Sequence, residues 1–270
     1  MINEFRIKNK AYRWDSRVFY DLSIPLDFKG EQPNSYDVPK AASNAYEGHG
    51  FVGDTRRGGS CNFEEVSLIP HCNGTHTECI GHITNERFSI HRQLREVLVK
   101  ATLVSVMPQK ASETREQYTP KFKDGDRVIT RKVLADALAS QSLDFLEALI
   151  IRTLPNDESK KARRYMQKEP PFMSLEAMEY LEGFGIKHLL VDMPSIDRTF
   201  DEGRLSAHHI FWNIEQGAHT PDKDAYFYKT ITEMVYVPDE VADGQYLLNL
   251  QIAPFVGDAT PSRPVIFELL

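Results

Sequence analysis

The twelve residues His71-Cys72-Asn73-Gly74-Thr75-His76-Thr77-Glu78-Cys79-Ile80-Gly81-His82 hold three of the chain's nine histidines and one acid, and no other segment is as rich in metal-ligand chemistry. Side chains on an extended backbone alternate faces, so His76, Glu78 and His82, which share parity, point the same way. A helix is excluded on this reading. It would set His76 and Glu78 on nearly opposite sides, and Gly74, Thr75 and Thr77 would weaken it further. On a strand, His76 and Glu78 stand roughly 6–7 Å apart at Cα, a gap two converging side chains can close around one cation. His82 lies about 13 Å beyond Glu78 if the strand continues, so it reaches the same cation only if the chain bends, and Gly81 is the place to bend. His71 reaches back across the Asn73-Gly74 turn signal.

Imidazole and carboxylate together suit zinc, manganese or iron. The spacing is neither that of H-E-x-x-H nor that of a zinc finger. The stretch resembles the His-x-Gly-Thr-His-x-Asp-x-Pro-x-His signature of the metal-dependent cyclase family, which includes bacterial kynurenine formamidases and isatin hydrolases. Gly74-Thr75-His76, the acid Glu78 and the later His82 stand in place. His71 lies one residue further from His76 than in the signature, Glu78 replaces Asp, and Cys79-Ile80-Gly81 stands where Ala-Pro-Leu is usual. Longer carboxylate and extra residue can compensate each other geometrically.

The resemblance continues along the chain. Tyr20-Asp21-Leu22-Ser23 is similar to the family's Trp-Asp-Ile-Ser opening, whose aromatic residue helps form the substrate pocket, and this implies a substrate-binding role for Tyr20. The run around Pro194-Ser195-Ile196-Asp197 also matches. In the family a later His and Glu complete the metal site. By local match these are His208 in Ser206-Ala207-His208 and Glu233 in Ile231-Thr232-Glu233-Met234-Val235. His208 and His209 are adjacent, so at most one serves a given site. Their separation from Glu233 implies an inserted loop from about Asn213 to Tyr226. Without the resemblance, Glu233 is an acid on an apolar run, a costly placement unless it is paired or coordinated.

The remaining pattern gives an α/β or α+β domain with strands interspersed by helices. Strands are expected over Arg17–Pro25, Asn62–Pro70, Glu96–Met107, Phe145–Thr153, Lys187–Met193, Tyr246–Ala253 and Pro264–Leu269. Helices are expected over Thr130–Ser140 and from an N-cap at Ser174 to Gly183 and Gly185. Gln109 to Arg127 reads as a loop. The irregular stretch from Asp27 to about Ser60 is long enough to imply that it covers a site. The resemblance sharpens the fold to a single α/β domain of swivelling β/β/α architecture, and it implies a homo-oligomer, dimer or tetramer.

A formal net charge of −7 argues against a nucleic-acid partner, and Lys160-Lys161-Ala162-Arg163-Arg164 reads as a solvated helix face. No apolar run is long enough to span a membrane, and Met1 to Arg17 scatters charges where a signal peptide needs an apolar stretch. Cys61, Cys72 and Cys79 make an odd count that fits a reducing compartment, so a cytoplasmic location is expected. Cys79, opposite in parity to Glu78, is expected to face away from it as an inert thiol.

The expected chemistry is hydrolysis of a small amide by water activated on one or two divalent ions, zinc or manganese. The ligands are His71, His76, Glu78, His208 and Glu233, and His82 passes a proton to the departing nitrogen. The rival reading is a metal- or small-ligand-binding protein on the same fold that has lost turnover. A tight metal site with no hydrolysis across formamide, lactam and ester panels would select the rival.

Overall fold

Seven strands close on themselves in the computed structural model, which describes residues 1–270. They are β1 (His76–Cys79), β2 (Val99–Val106), β3 (Ala148–Thr153), β4 (His188–Val191), β5 (Thr230–Glu233), β6 (Gly244–Ile252) and β7 (Ala259–Glu268). Their order is β6-β2-β3-β4-β5-β1-β7, and pairing of β6 with β7 joins the ends into a barrel. Strands β2 to β5 are parallel neighbours, whereas β1, β6 and β7 pair antiparallel.

Parallel pairing needs a crossover, and each crossover here contains a helix. Helix α1 (Arg131–Leu138) joins β2 to β3, α2 (Leu175–Glu182) joins β3 to β4, and α3 (Ser206–Trp212) joins β4 to β5. The hydroxyls of Thr130 and Ser174 cap α1 and α2 by accepting the N–H groups of Val133 and Ala177. Strand parity then sorts two cores. Leu149, Ile151, Leu189, Val191 and Ile231 face the helices and pack with Leu134, Leu181, Phe211 and Trp212. Ala101, Leu103, Ala148, Ile150, Leu190, Leu248 and Ile266 fill the barrel. Because β3 is buried on both faces, its sequence ALIIRT reads as a continuous run and not as an alternation.

The same parity sets the site. Thr77 and Thr232 share a hydrogen bond of 2.8 Å on the barrel side, so their neighbours His76, Glu78 and Glu233 stand with Ile231 on the helix-facing side. The loop after β4 is pinned by Asp192, which accepts from the Thr153 N–H and hydroxyl at the end of β3 and from buried Lys160.

Several expected boundaries move. The Arg17–Pro25 strand shrinks to Tyr20–Asp21, because the Asp21 carboxylate turns the chain by accepting the Ser23 N–H. The Asn62–Pro70 strand becomes Glu64–Ser67, paired with Ala42–Ala45 in an exposed ribbon outside the barrel. That ribbon and the short pair Glu47–Gly48 with Phe51–Val52 lend order to the segment read as irregular. Within the loop from Gln109, residues Gln109–Lys110 pair with the strand Arg127–Ile129. The exclusion of helix in the ligand-rich stretch applies only to His76–Cys79. Pro70–Asn73 forms one helical turn, begun by a proline suited to that position, and Ile80–His82 forms a 3-10 turn.

One barrel residue gives the fold a pH dependence. His188 is fully buried beside Leu190, its Nδ1 sharing a hydrogen bond with the Thr230 hydroxyl, and burial pushes its pKa down to about 4. A histidine lowered in this way leaves stability intact above its unfolded value, near 6.5, and costs stability as pH falls toward 4, because only the unfolded chain takes up the proton. The full loss is about 3 kcal/mol. In His188→Gln, the stability difference between pH 7 and pH 4 from urea unfolding is expected to shrink by about that amount. An unchanged difference would remove His188 from the account of acid sensitivity.

Candidate metal centre

Glu78 has no exposed surface, yet four imidazoles and a second carboxylate crowd around it. Its Oε1 accepts from His208 Nε2 at 2.9 Å, and its Oε2 lies 3.4 Å from His71 Nε2 and 3.7 Å from His82 Nδ1. His76 donates Nδ1–H to the Gly74 carbonyl at 2.9 Å, which turns Nε2 toward Glu233 Oε2, 3.5 Å away. Glu233 Oε1 accepts the Ile196 N–H at 3.0 Å. His76, Glu78 and Glu233 thus form one set of converging donors, and Glu78, His82 and His208 form another.

His208 reaches this centre from α3. Its Nδ1 meets Asp197 Oδ2 at 2.6 Å, and Asp197 also takes the Tyr118 hydroxyl and the Ala207 and His208 N–H groups. A carboxylate behind an imidazole in this way fixes the ring and presents the other nitrogen. His209, one residue on, points elsewhere and lies 6.3 Å from the His219 ring. Of the two neighbours, His208 is the one brought to Glu78.

Charge compensation follows the contacts. Burial would raise the Glu78 carboxyl, but facing His82, His208 and His71 hold it well below the usual carboxylate range. Burial would likewise lower His208, and Asp197 and Glu78 reverse that and lift it well above its ordinary value. The Cys79 thiol, pushed up to about 12 by burial, points away from the donors and gives its hydrogen to the Phe88 carbonyl.

The bend at Gly81 takes place. The turn Ile80–His82 folds His82 back to Glu78, so the 13 Å separation of a continued strand does not apply. Tyr20 is not brought here by this chain. It pairs with Ile266 of β7 and packs against the barrel core, and its phenol donates to Glu268 at 2.8 Å. An aromatic residue from the irregular segment stands at the site instead. Tyr36, with His71, His82, Ser195, Phe200 and Glu233, lines a cavity of about 600 Å3, and its hydroxyl donates to the Thr199 carbonyl. Asp258, which no sequence motif marks, also reaches the site. Its Oδ2 lies 3.1 Å from His71 Nε2 and 3.6 Å from His82 Nδ1.

The donor set suits a divalent ion. Three of the chain's nine buried polar side-chain atoms without a hydrogen-bond partner are His71 Nε2, His76 Nε2 and Glu78 Oε2, all aimed at this centre. Buried polar atoms are rarely left unpaired, and nitrogen with carboxylate oxygen at this density is the ligand chemistry of a divalent metal ion.

The sequence model of the Cyclase family matches residues 20–198. The chain belongs to the cyclase family. Among curated relatives, a kynurenine formamidase of Bacillus cytotoxicus is 26% identical over 266 residues, covering 96% of this chain and all of the relative. One of Bacillus cereus is 26% identical, covering 91% and 95%. Two solved structures share the fold at low identity. A protein of Bacillus stearothermophilus described as a "predicted metal-dependent hydrolase" is 17% identical with a TM-score of 0.59, covering 93% of this chain and 98% of that one. Isatin hydrolase A of Labrenzia aggregata, bound to benzyl benzoate, is 13% identical with a TM-score of 0.56, covering 93% of each chain. The α/β fold expected for this cyclase family member, a swivelling β/β/α domain built on a closed barrel, is the one observed. No helix is long and apolar enough to cross a membrane.

His76→Ala and Glu78→Ala are each expected to lower the stoichiometry of bound divalent metal by elemental analysis. Binding to the native state alone stabilises by about 2.7 kcal/mol at a hundredfold excess over Kd, so both variants should also lose the rise in Tm that metal confers. His208→Ala should reduce metal content and His209→Ala should not. Equal content and Tm in wild type and the first two variants would sink the assignment, and a loss confined to His209→Ala would show the pair to be misassigned.

Proposed function

We propose that the protein is a metal-dependent hydrolase of a small amide, an aryl formamide such as N-formylkynurenine or a cyclic amide. What supports this is the convergence of unpartnered His76 Nε2 and Glu78 Oε2 beside a substrate-sized cavity, in a chain whose relatives include kynurenine formamidases. His76, Glu78 and Glu233 would hold the hydrolytic ion, with His208 beside Glu78 and His71 nearer the cavity wall. The chemistry supplied by a divalent ion so held is a water activated near neutral pH and polarisation of a carbonyl.

The chain's own residues do the rest. Asp197 holds His208 through Nδ1, so its Nε2 faces Glu78 and Glu233 and not solvent. The Ile196 N–H fixes one oxygen of Glu233 and leaves the other toward His76. His82, on the cavity wall, takes a proton from the attacking water and delivers it to the departing nitrogen. Tyr36, Ser195 and Phe200 frame the space for the acyl group and ring. The working form is proposed to be a homo-oligomer in the cytoplasm.

Zinc- or manganese-loaded protein is expected to turn over N-formylkynurenine or isatin. His82→Asn should keep the ion at His76, Glu78 and Glu233, yet lose about a hundred- to ten-thousand-fold in rate. Metal-loaded wild type inert toward formamides, lactams and esters would overturn the hydrolase reading. A fully active His82→Asn would overturn only the role of His82.

A further inference from the structure

Another cavity, of about 220 Å3, opens at the carboxyl ends of β2 and β3, where Met107-Pro108 and Thr153-Leu154-Pro155 leave the barrel. The metal cavity lies on the same rim, beyond β4 and β5, and the two share no lining residue. That rim is where parallel α/β sheets hold their ligands.

Charge sets this cavity apart. Arg127, Lys160, Arg163 and Lys168 line it against Asp157 and Glu169, in a chain whose formal net charge is −7. Two of the cations are already engaged. Buried Lys160 gives its ammonium to Asp192 at 2.7 Å, to the Thr153 carbonyl and hydroxyl at 2.6 and 3.1 Å, and to Asn156 at 2.9 Å. Arg163 pairs with Asp157 at 3.2 Å and donates to the Ser159 hydroxyl at 2.7 Å. Arg127 and Lys168 form no ion pair, and the one bond from the Arg127 guanidinium is a long one, 3.3 Å, to the Pro108 carbonyl. With Glu169 counted against them, the free charges leave an excess of one positive, which a monoanion balances.

The donors narrow the ligand further. Pro108, Pro155, Pro170 and Pro171 bring no N–H to the wall. Phosphate is commonly held by clustered backbone N–H groups, and such a wall serves it poorly. A planar carboxylate needs only the two parallel donors of a guanidinium. The proline rings and the Met107 side chain offer apolar surface for the body of the same molecule.

We propose that this cavity binds a small organic monocarboxylate, with its carboxylate on Arg127, Lys168 beside it, and its apolar body against the prolines. The site is separate from the metal centre and independent of the hydrolytic reading.

Benzoate is the probe, titrated calorimetrically into metal-loaded protein. Wild type should show a saturable event with Kd below about 1 mM. Arg127→Gln should weaken it about tenfold or more, the loss of a charge-assisted pair, and Lys168→Gln should weaken it less. Glu169→Gln should tighten it, a change of opposite sign that general damage to the fold would not produce. The Met107 methyl resonance, assigned through Met107→Leu, should shift as benzoate saturates. Circular dichroism checks that each variant is folded, and if Arg127→Gln is not, Lys168→Gln and Glu169→Gln carry the comparison. No saturable binding, or binding unchanged in folded Arg127→Gln as expected of benzoate on the metal ion, overturns the site. Inorganic phosphate displacing benzoate at lower concentration than benzoate itself requires would overturn the carboxylate class.

Discussion

A carboxylate with no exposed surface is costly unless charge and hydrogen bonds meet it, and Glu78 is such a group. The architecture around the site can be followed outward from that requirement. Strand parity turns Glu78 to the helix-facing side of β1, and α3 carries His208 to one of its oxygens. The helical turn at Pro70 and the 3-10 turn at Ile80 bring His71 and His82 to the other. Positive partners arrive from three directions because no single element could supply them. The arrangement has unpartnered atoms left over, so the imidazoles alone do not complete it, and a divalent ion would.

The barrel sets the precision. Three βαβ crossovers pack the parallel strands against a layer of helices, in which α3 lies against α2. Asp197 links that helix back to the loop after β4, accepting from the Ala207 and His208 N–H groups at the start of α3 and from the His208 ring. Tyr118 and the Arg198–Asp126 pair brace the same loop from the far side. Thus the imidazole is oriented by a carboxylate whose own position is fixed on both sides, an arrangement that keeps ligands in place before an ion arrives.

Reading the sequence reached the parts of this centre that depend on local geometry. His76 and Glu78 are two residues apart on a strand, and period two alone makes them neighbours on one face. Glu233 could be singled out because an acid inside an apolar strand demands a partner. His208 entered through resemblance to the family, since adjacent histidines cannot be ranked by pattern. The parts that escaped depend on contacts between distant segments. Asp258 looks like an ordinary turn acid after Gly257, and nothing within its own neighbourhood points to His71. Asp197 lay in a run already noted, but its purpose is visible only once α3 has docked. Tyr20 was assigned by resemblance to a pocket that Tyr36 lines instead, and the irregular segment carrying Tyr36 offered no periodicity from which its position could be worked out. The fold was more legible than the site. Buried runs such as ALIIRT announce parallel strands through composition, whereas barrel closure by β6 and β7 is a long-range pairing with no local mark.

Two of the three departures from the family signature also find a physical relation. Glutamate at 78 carries one more methylene than aspartate, which carries its oxygens further from β1 and lets one carboxylate touch His208 on one side and His71 with His82 on the other. The extra residue before Gly74 lies within the helical turn Pro70–Asn73 and its exit, so it changes where His71 arrives without disturbing β1. His71 consequently meets the far oxygen of the longer carboxylate and Asp258 together, while His76 keeps its place opposite Glu233. A shorter acid would draw its oxygens back toward the strand, away from a His71 displaced toward the turn before β7. The longer side chain and the longer spacing therefore compensate each other geometrically, the one extending the oxygen that the displaced His71 meets.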